Sequence, residues 1–299
     1  MNKSKLRDIL IIILFLILLY CIGSLGYRFY QYYQGTSTYH EAEALVDLPD
    51  FSEMEVKAED SQIKTSEFSN PTTDTDSASL SVSESASVPD PYADALKNMD
   101  FTELRKVNSD ILGWIVIPNT VVSYPLVQAA DNDFYLYRTW KKSDSIVGSI
   151  FMDALCSPDL SDFHTLVYGH NMNNGSMFGT LKKFKTFEYW QTHPYFMIST
   201  DAGVYTYKIF SAFEANLTDP VFMVKINRDD EKQALIDCAV TKSAIAAGIV
   251  PTTEDQIVTL STCTGRGHET RWIVLGILES FTEAESPEPS EMSEDAQAK

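Results

Sequence analysis

The chain has 299 residues, 44% of them hydrophobic, with 23 basic and 42 acidic side chains and a formal net charge of −19. This length and apolar content allow one large or two small folded domains. The negative charge argues against nucleic acid or an anionic lipid surface as a partner of the whole chain, because both would repel it. The four cysteines follow no C-x-x-C spacing, so neither a disulfide framework nor a zinc site is expected, although a single Cys156–Cys238 bridge is compatible with the sequence.

An uncharged run rich in Ile and Leu occupies residues 9–27. In a helix it would span roughly 28 Å, close to the hydrocarbon thickness of a bilayer. Basic residues precede it and an acidic segment follows, so residues 1–8 are predicted to be cytoplasmic and the rest of the chain extracellular. The alternative is a cleaved signal peptide, but the run is long for that role. We therefore expect a single-pass signal anchor in the cell membrane.

Two acidic segments flank the predicted folded domain, which covers residues 91–281. Residues 41–90 contain 13 acidic and 2 basic side chains. A segment of this composition cannot bury enough apolar surface to offset the entropy of ordering it. Residues 28–90 are therefore predicted to form an extended Ser/Thr-rich stalk, and residues 282–299 a disordered acidic tail.

The folded domain begins with helical spacing around Tyr92 and Leu96 and then changes to short β-branched or aromatic runs. Gly, Pro, Asn and Asp separate these runs, which favours a barrel or a sandwich. Eight strands are predicted, at 114–118, 121–127, 149–152, 165–170, 195–199, 205–214, 257–263 and 272–278. One helix interrupts them at 227–247, with acidic residues at its start and Gly248 expected to end it.

The strand Ile257–Cys263 carries a polar face that ends in a thiol. A seven-residue connection follows, and Arg271 opens the returning strand, so a hairpin would bring Arg271 beside Cys263. A guanidinium near a thiol favours the thiolate, which is the nucleophile. The alternative is a structural cysteine with a surface arginine.

His170 ends another predicted strand and enters a loop rich in Asn and Gly, a position where a general acid or base can meet a substrate. A histidine that merely caps a strand is the alternative. The other histidines have less distinctive settings: His40 lies in the predicted stalk, and His164 and His193 are expected to be structural. His268 follows Cys263 by five residues, but two ligands do not make a metal site.

Three features together resemble the sortases, the cysteine transpeptidases of Gram-positive cell surfaces. These are the sequence TLSTC, the arginine eight residues after its cysteine, and the upstream histidine of GHNM. The stretches NSDILGWIVIPNTVVSYPLVQAADNDFYL and VGSIFMD, and the inserted helix, are similar to class B. The resemblance implies a mainly β fold, an eight-stranded barrel with an N-terminal helix.

The same resemblance implies roles for individual residues. Cys263 matches the nucleophile, His170 the catalytic histidine and Arg271 the catalytic arginine, with Arg266 in the middle of the loop as the only rival. Ser261, Asn132 and Leu136 fall where class B enzymes line the peptide groove.

The implied activity is cleavage of a C-terminal sorting motif resembling Asn-Pro-x-Thr-x after Thr, followed by transfer of the acyl group to an amine of a cell-wall precursor. The expected partners are thus surface proteins with sorting signals, the amine acceptor and the plasma membrane. Neither nucleic acid nor a cofactor or metal is expected, and the protein is expected to be a monomer. A surface cysteine protease and a catalytically silent stalked module are the competing interpretations.

Overall fold

The computed structural model describes residues 3–46, 48, 91–265 and 269–285. The helices are α1 (Lys3–Glu43), α2 (Pro91–Leu96), α3 (Thr102–Val107), α4 (Phe187–Thr192) and α5 (Asp229–Lys242). The strands are β1 (Ile111–Val116), β2 (Ser123–Val127), β3 (Ile150–Met152), β4 (His164–Tyr168), β5 (Tyr195–Thr200), β6 (Gly203–Asn216), β7 (Ile257–Cys263) and β8 (Thr270–Glu283). The predicted fold is confirmed: eight strands, short helices before them and one longer helix inserted before β7.

The strands close into a barrel in the order β1-β2-β3-β4-β7-β8-β6-β5. Most neighbours are antiparallel, but β2 pairs with β3 and β4 pairs with β7 in parallel. The parallel β4–β7 pair brings the C-terminal ends of both strands to the same edge of the barrel. Both strands are almost fully buried, as expected for strands covered on two faces.

The long strands β6 and β8 pair over nearly their whole lengths. Register irregularities between Thr206 and Tyr207 and between Ile209 and Ser211 bend this ladder, as β-bulges do, and so help the sheet to close. Trp114 and Tyr207 are among the largest fully buried side chains of the domain.

Helix α5 covers the outside of β6. Three acidic residues occupy its first turn, where the helix dipole favours negative charge. Its buried residues Leu235, Ile236 and Ala239 pack with Phe210 and Phe213 in an apolar cluster separate from the main core. The helix ends at Lys242, so the expectation that Gly248 stops it was wrong; Gly248 has φ +71° and lies in the following connection.

Helix α1 does not stop at the end of the apolar run. Among the described residues one helix, Leu10–Glu43, is long and apolar enough to cross a membrane. Its last turns contact the barrel, and Tyr39, Ala42 and Val46 are buried in the main core. Residues 28–43 are therefore helical where an extended stalk was predicted, and from Thr38 onward the buried side chains pack on the barrel. The remainder of the predicted stalk, residues 49–90, lies outside the described residues.

The folded domain also extends past residue 281. Strand β8 continues to Glu283, which is paired with Gly203. Glu285 then forms an ion pair with Lys97 at 2.9 Å. Residues 286–299 of the predicted tail lie outside the described part of the chain.

Candidate active site

Cys263 and Arg271 end up side by side because β7 and β8 form an antiparallel pair in which these two residues are direct partners. Residues directly opposite each other in such a pair project from the same face of the sheet. The predicted juxtaposition is therefore present, although Thr270 rather than Arg271 is the first residue of the returning strand.

His170 reaches the same edge through the β4–β7 pair. Tyr168, the last residue of β4, is in register with Ser261, and two hydrogen bonds extend this contact past the strand end. The Gly169 N–H donates to the Ser261 carbonyl at 3.1 Å, and the Thr262 hydroxyl donates to the Gly169 carbonyl at 2.7 Å. His170 follows immediately, just beyond the strand that was predicted to include it.

Gly169 is required at this junction by lack of space. A Cβ there would lie 2.4 Å from Ile150 Cδ1 and 2.7 Å from the Phe178 ring. A larger residue there would force Ile150, Phe178 or the backbone next to His170 to shift.

The imidazole of His170 is oriented by one strong contact. Its Nε2 lies 2.6 Å from the backbone carbonyl of Leu136. A carbonyl oxygen only accepts, so Nε2 carries the hydrogen and Nδ1 is the nitrogen left for proton exchange. Leu136 therefore orients His170 through its backbone carbonyl, in addition to its predicted position in the groove.

A cavity of about 290 Å³ joins these groups. Twelve residues line it: Asn132, Leu136, Phe151, Tyr168, Gly169, His170, Leu217, Phe222, Ser261, Thr262, Cys263 and Arg271. All six site residues predicted from the sequence are among them. Several wall residues are apolar, so the groove is less polar than the Asn132 and Ser261 side chains alone would suggest.

Ser261 and Asn132 present different polar groups to this cavity. Ser261 is 1% exposed, and its hydroxyl has no hydrogen-bond partner among the described residues. Asn132 is held from both ends of its amide: Nδ2 donates to Asp153 Oδ2 at 2.8 Å, and Oδ1 accepts from the Ala154 N–H at 2.8 Å. The second hydrogen of the Asn132 amide is therefore what it can offer to a ligand.

Asp153 and Tyr168 are the functional neighbours that sequence reasoning missed. The buried Asp153 carboxylate accepts hydrogen bonds from Asn132 and, at 2.9 Å, from the Tyr168 hydroxyl. Burial and the Asp153 charge raise the pKa of Tyr168, so the phenol stays a donor. Asp153 is the last residue of the VGSIFMD stretch. An acidic residue that directly follows a buried strand was the sequence signal, and the structure shows that its carboxylate orients two residues of the groove.

The other histidines and cysteines that the structure describes do not line this cavity. His164 is buried, with Nδ1 donating to the Met223 carbonyl at 2.7 Å and Nε2 lying 2.8 Å from the Thr259 hydroxyl. Cys156 and Cys238 are free thiols, and burial raises the pKa of Cys156 to about 11. Across the described residues, no group of three metal-ligating side chains occurs. Arg266 and His268 lie outside the described residues.

Comparisons with known proteins agree with this architecture. A model of the sortase domain family matches residues 115–279. Sortase B of Listeria monocytogenes is 30% identical over 164 residues, which cover 55% of this chain and 67% of the relative. Sortase B of Staphylococcus aureus is 31% identical over 170 residues, 57% of this chain and 70% of the relative.

The fold comparison agrees as well. The crystal structure of sortase B from B. anthracis in complex with AAEK1 superposes with a TM-score of 0.55 and 35% identity, covering 60% of this chain and 83% of that one. An eight-stranded closed barrel with a thiol at the end of β7 is the architecture of a sortase. The chain belongs to the sortase family, and its relatives assign it to class B. It is accordingly a cysteine transpeptidase.

Proposed function

We propose that this protein is a membrane-anchored sortase that cleaves a C-terminal sorting motif after Thr and transfers the acyl group to an amine of a cell-wall precursor. The observation that carries the proposal is the convergence of Cys263, His170 and Arg271 on one cavity. Each comes from a different strand end, so all three positions depend on the closed barrel.

In the first step the Cys263 thiolate attacks the threonine carbonyl carbon, and the carbonyl π bond becomes an oxyanion. Arg271 is the proposed donor to that oxyanion, because it lies opposite Cys263 in the ladder. The intermediate then collapses: the C–N bond breaks, a thioester forms and the departing nitrogen takes a proton.

His170 is the proposed source of that proton. With Nε2–H held by the Leu136 carbonyl, a proton on Nδ1 of the imidazolium can be given to the departing amine. The neutral imidazole can then take a proton from the incoming amine as this amine attacks the thioester. A new amide bond forms and the Cys263 thiolate is released.

The proposed sorting motif resembles Asn-Pro-x-Thr-x. Proline pre-sets part of the bound backbone conformation and so lowers the entropic cost of binding. We expect the Ser261 hydroxyl, which has no hydrogen-bond partner among the described residues, and the remaining Asn132 N–H to bind a polar first side chain. A leucine there would leave these groups unpaired, which is a strong basis for rejection.

The anchor and topology are also proposed. The apolar part of α1 would span the membrane with residues 1–8 in the cytoplasm, since basic residues precede it. The catalytic domain would then face the outside, where surface proteins with sorting signals and the amine acceptor are found.

The test combines a peptide library, an amine acceptor and mass spectrometry on the purified protein. Wild type is expected to cleave after Thr, prefer a polar first residue over leucine and form the amide product. Cys263→Ala and His170→Ala should form no product, whereas Cys238→Ala, which changes a free thiol on α5, should behave as wild type. Acid product alone in the presence of amine would instead identify a protease, and turnover by Cys263→Ala would exclude it as the nucleophile.

A further inference from the structure

The end of helix α1 makes close contact with the chain segment that precedes β3. The Trp140 indole N–H donates to the Thr38 carbonyl at 2.8 Å, and Lys141 pairs with Glu41. At Gly35 a Cβ would lie 2.4 Å from Ser145 Oγ, so the helix can approach this closely only with glycine there. The contact therefore combines hydrogen bonds, charge and close backbone packing.

Tyr39 lies at the centre of this contact and is 3% exposed. Its hydroxyl donates to the carbonyl of Gly148. Gly148 has φ +61°, and a Cβ on it would lie 2.8 Å from His170 Cδ2 and 2.5 Å from the Leu136 carbonyl. The peptide held by Tyr39 thus packs directly against the imidazole and against the carbonyl that orients it.

A second chain of contacts leads from Tyr39 to the other side of His170. The Tyr39 ring meets the Tyr124 ring edge-on, with 5.3 Å between centroids. The Tyr124 hydroxyl accepts the Met177 N–H at 3.0 Å. The next residue, Phe178, donates its N–H to the His170 carbonyl at 3.0 Å.

We propose that residues 35–46, the end of α1 and the turn after it, are an integral part of the catalytic domain, and that Tyr39 is a positioning residue for His170 acting through Gly148. The proposal rests on the proposed role of His170. The proposal also changes how the barrel is connected to the membrane, because α1 is one continuous helix from the apolar run to its contact with the barrel. Residues 28–35 add about 12 Å of helix, so this short rod, and not a long stalk, sets the distance of the groove from the membrane.

The experiment uses the full chain in detergent and four variants. Tyr39→Phe removes one hydroxyl, Tyr39→Leu also removes the ring, and His170→Ala is the reference for loss of the imidazole. Tyr33→Phe is the matched control, since Tyr33 is on the same helix and 67% exposed. Two readouts are measured: kcat and KM with a peptide that wild type cleaves, and the pH profile of Cys263 alkylation by iodoacetamide, followed on the Cys263 peptide by mass spectrometry.

Tyr39→Phe is expected to lower kcat about 10-fold with KM nearly unchanged, because small misplacements of a catalytic group are costly. Its alkylation profile should move in the same direction as that of His170→Ala. Tyr39→Leu should show a larger effect, and Tyr33→Phe none.

A lower melting temperature for Tyr39→Phe with wild-type kcat and alkylation profile would overturn the proposal, because Tyr39 would then be only structural. Wild-type activity of His170→Ala would instead contradict the proposed role of His170. That result is distinguishable from a failure of the Tyr39 proposal, because it is seen in a different variant. If Tyr39→Phe does not fold, Lys141→Glu loosens the same contact. It should lower kcat, and Glu41→Lys added to it should restore kcat; an unchanged kcat in Lys141→Glu would count against the proposal.

Discussion

Cys263 and Arg271 are direct partners across the β7–β8 ladder, with no residue between them in the register. The two side chains therefore leave neighbouring strands on one face, and the Arg271 guanidinium donates from Nη1 to the Thr270 carbonyl at 3.0 Å. The proposed oxyanion role of Arg271 depends on this placement, because a donor that is already in position needs little rearrangement when negative charge develops on the substrate.

This relationship predicts unequal effects for the two arginines near the cysteine. Arg271→Ala should lower turnover at least ~100-fold, since loss of a preorganised oxyanion donor costs about 3–4 kcal/mol. Arg266→Ala should cost far less, because the residue that pairs with Cys263 across the ladder is Arg271. Both variants are assayed on one peptide with saturating amine, and the reverse ranking would assign the oxyanion role to Arg266.

Asp153 is predicted to support the groove through Asn132. The two Asp153 carboxylate oxygens accept hydrogen bonds from the Tyr168 hydroxyl, the Asn132 amide and the Leu155 N–H. An asparagine has only one side-chain oxygen, so at least one of these three donors loses its acceptor. Asp153→Asn should destabilise the fold by about 1–3 kcal/mol, the usual cost of an unpaired buried polar group. It should also raise KM for the sorting peptide, because the Asn132 amide loses its orientation.

The control for that change is Asp133→Asn, at a nearby exposed residue. Urea unfolding and steady-state kinetics on both variants give the comparison. A destabilised Asp153→Asn enzyme with wild-type KM would indicate that Asn132 does not contact the peptide.

Stability is predicted to fall on mild acidification because of His164. Burial lowers the pKa of this histidine from its ordinary value of 6.5 to about 4. Between these pH values the unfolded chain binds a proton that the folded chain does not, so stability is lost as the pH falls from 6.5 to 4. At pH 5 the loss should be roughly 2 kcal/mol, from 1.4 kcal/mol per pH unit.

Urea unfolding at pH 7 and pH 5 measures this loss. His164→Gln retains a donor and an acceptor but no titrating group, so its stability should change by about 2 kcal/mol less than wild type between the two pH values. Equal changes in both proteins would show that His164 does not contribute to the acid sensitivity.

The end of α1 is predicted to stabilise the catalytic domain. A fragment of residues 91–285 lacks the core residues Tyr39, Ala42 and Val46. It also lacks the Thr38 carbonyl that accepts the hydrogen bond of the Trp140 indole. Burial of each large apolar side chain is worth about 1.5–3 kcal/mol, so the fragment 28–285 should melt at a clearly higher temperature. Calorimetry of both fragments tests this, and coincident melting curves would exclude a structural role for residues 28–46.

Much of the fold follows from local pattern. All eight strands lie near their predicted positions, because alternation and β-branched residues with Gly and Pro between them are properties of neighbouring residues. Helix α5 was likewise predicted from its acidic start, but its end was not. Lys242 ends it because the chain turns there to pack on β6, with the Ala244 N–H donating to the Ala212 carbonyl at 2.8 Å.

The sequence alone determined the barrel strands, and it was enough to predict the apolar run and the candidate site residues Cys263, His170 and Arg271, because each of these depends on a short local pattern. Only the tertiary structure decided which distant segments support them. Asp153 orients Asn132, and the Leu136 carbonyl and the Gly148 backbone lie against His170. Tyr39 reaches Gly148 across 109 positions of sequence. No local pattern encodes such contacts, because the energy of a buried hydrogen bond depends on where the closed barrel places its partner.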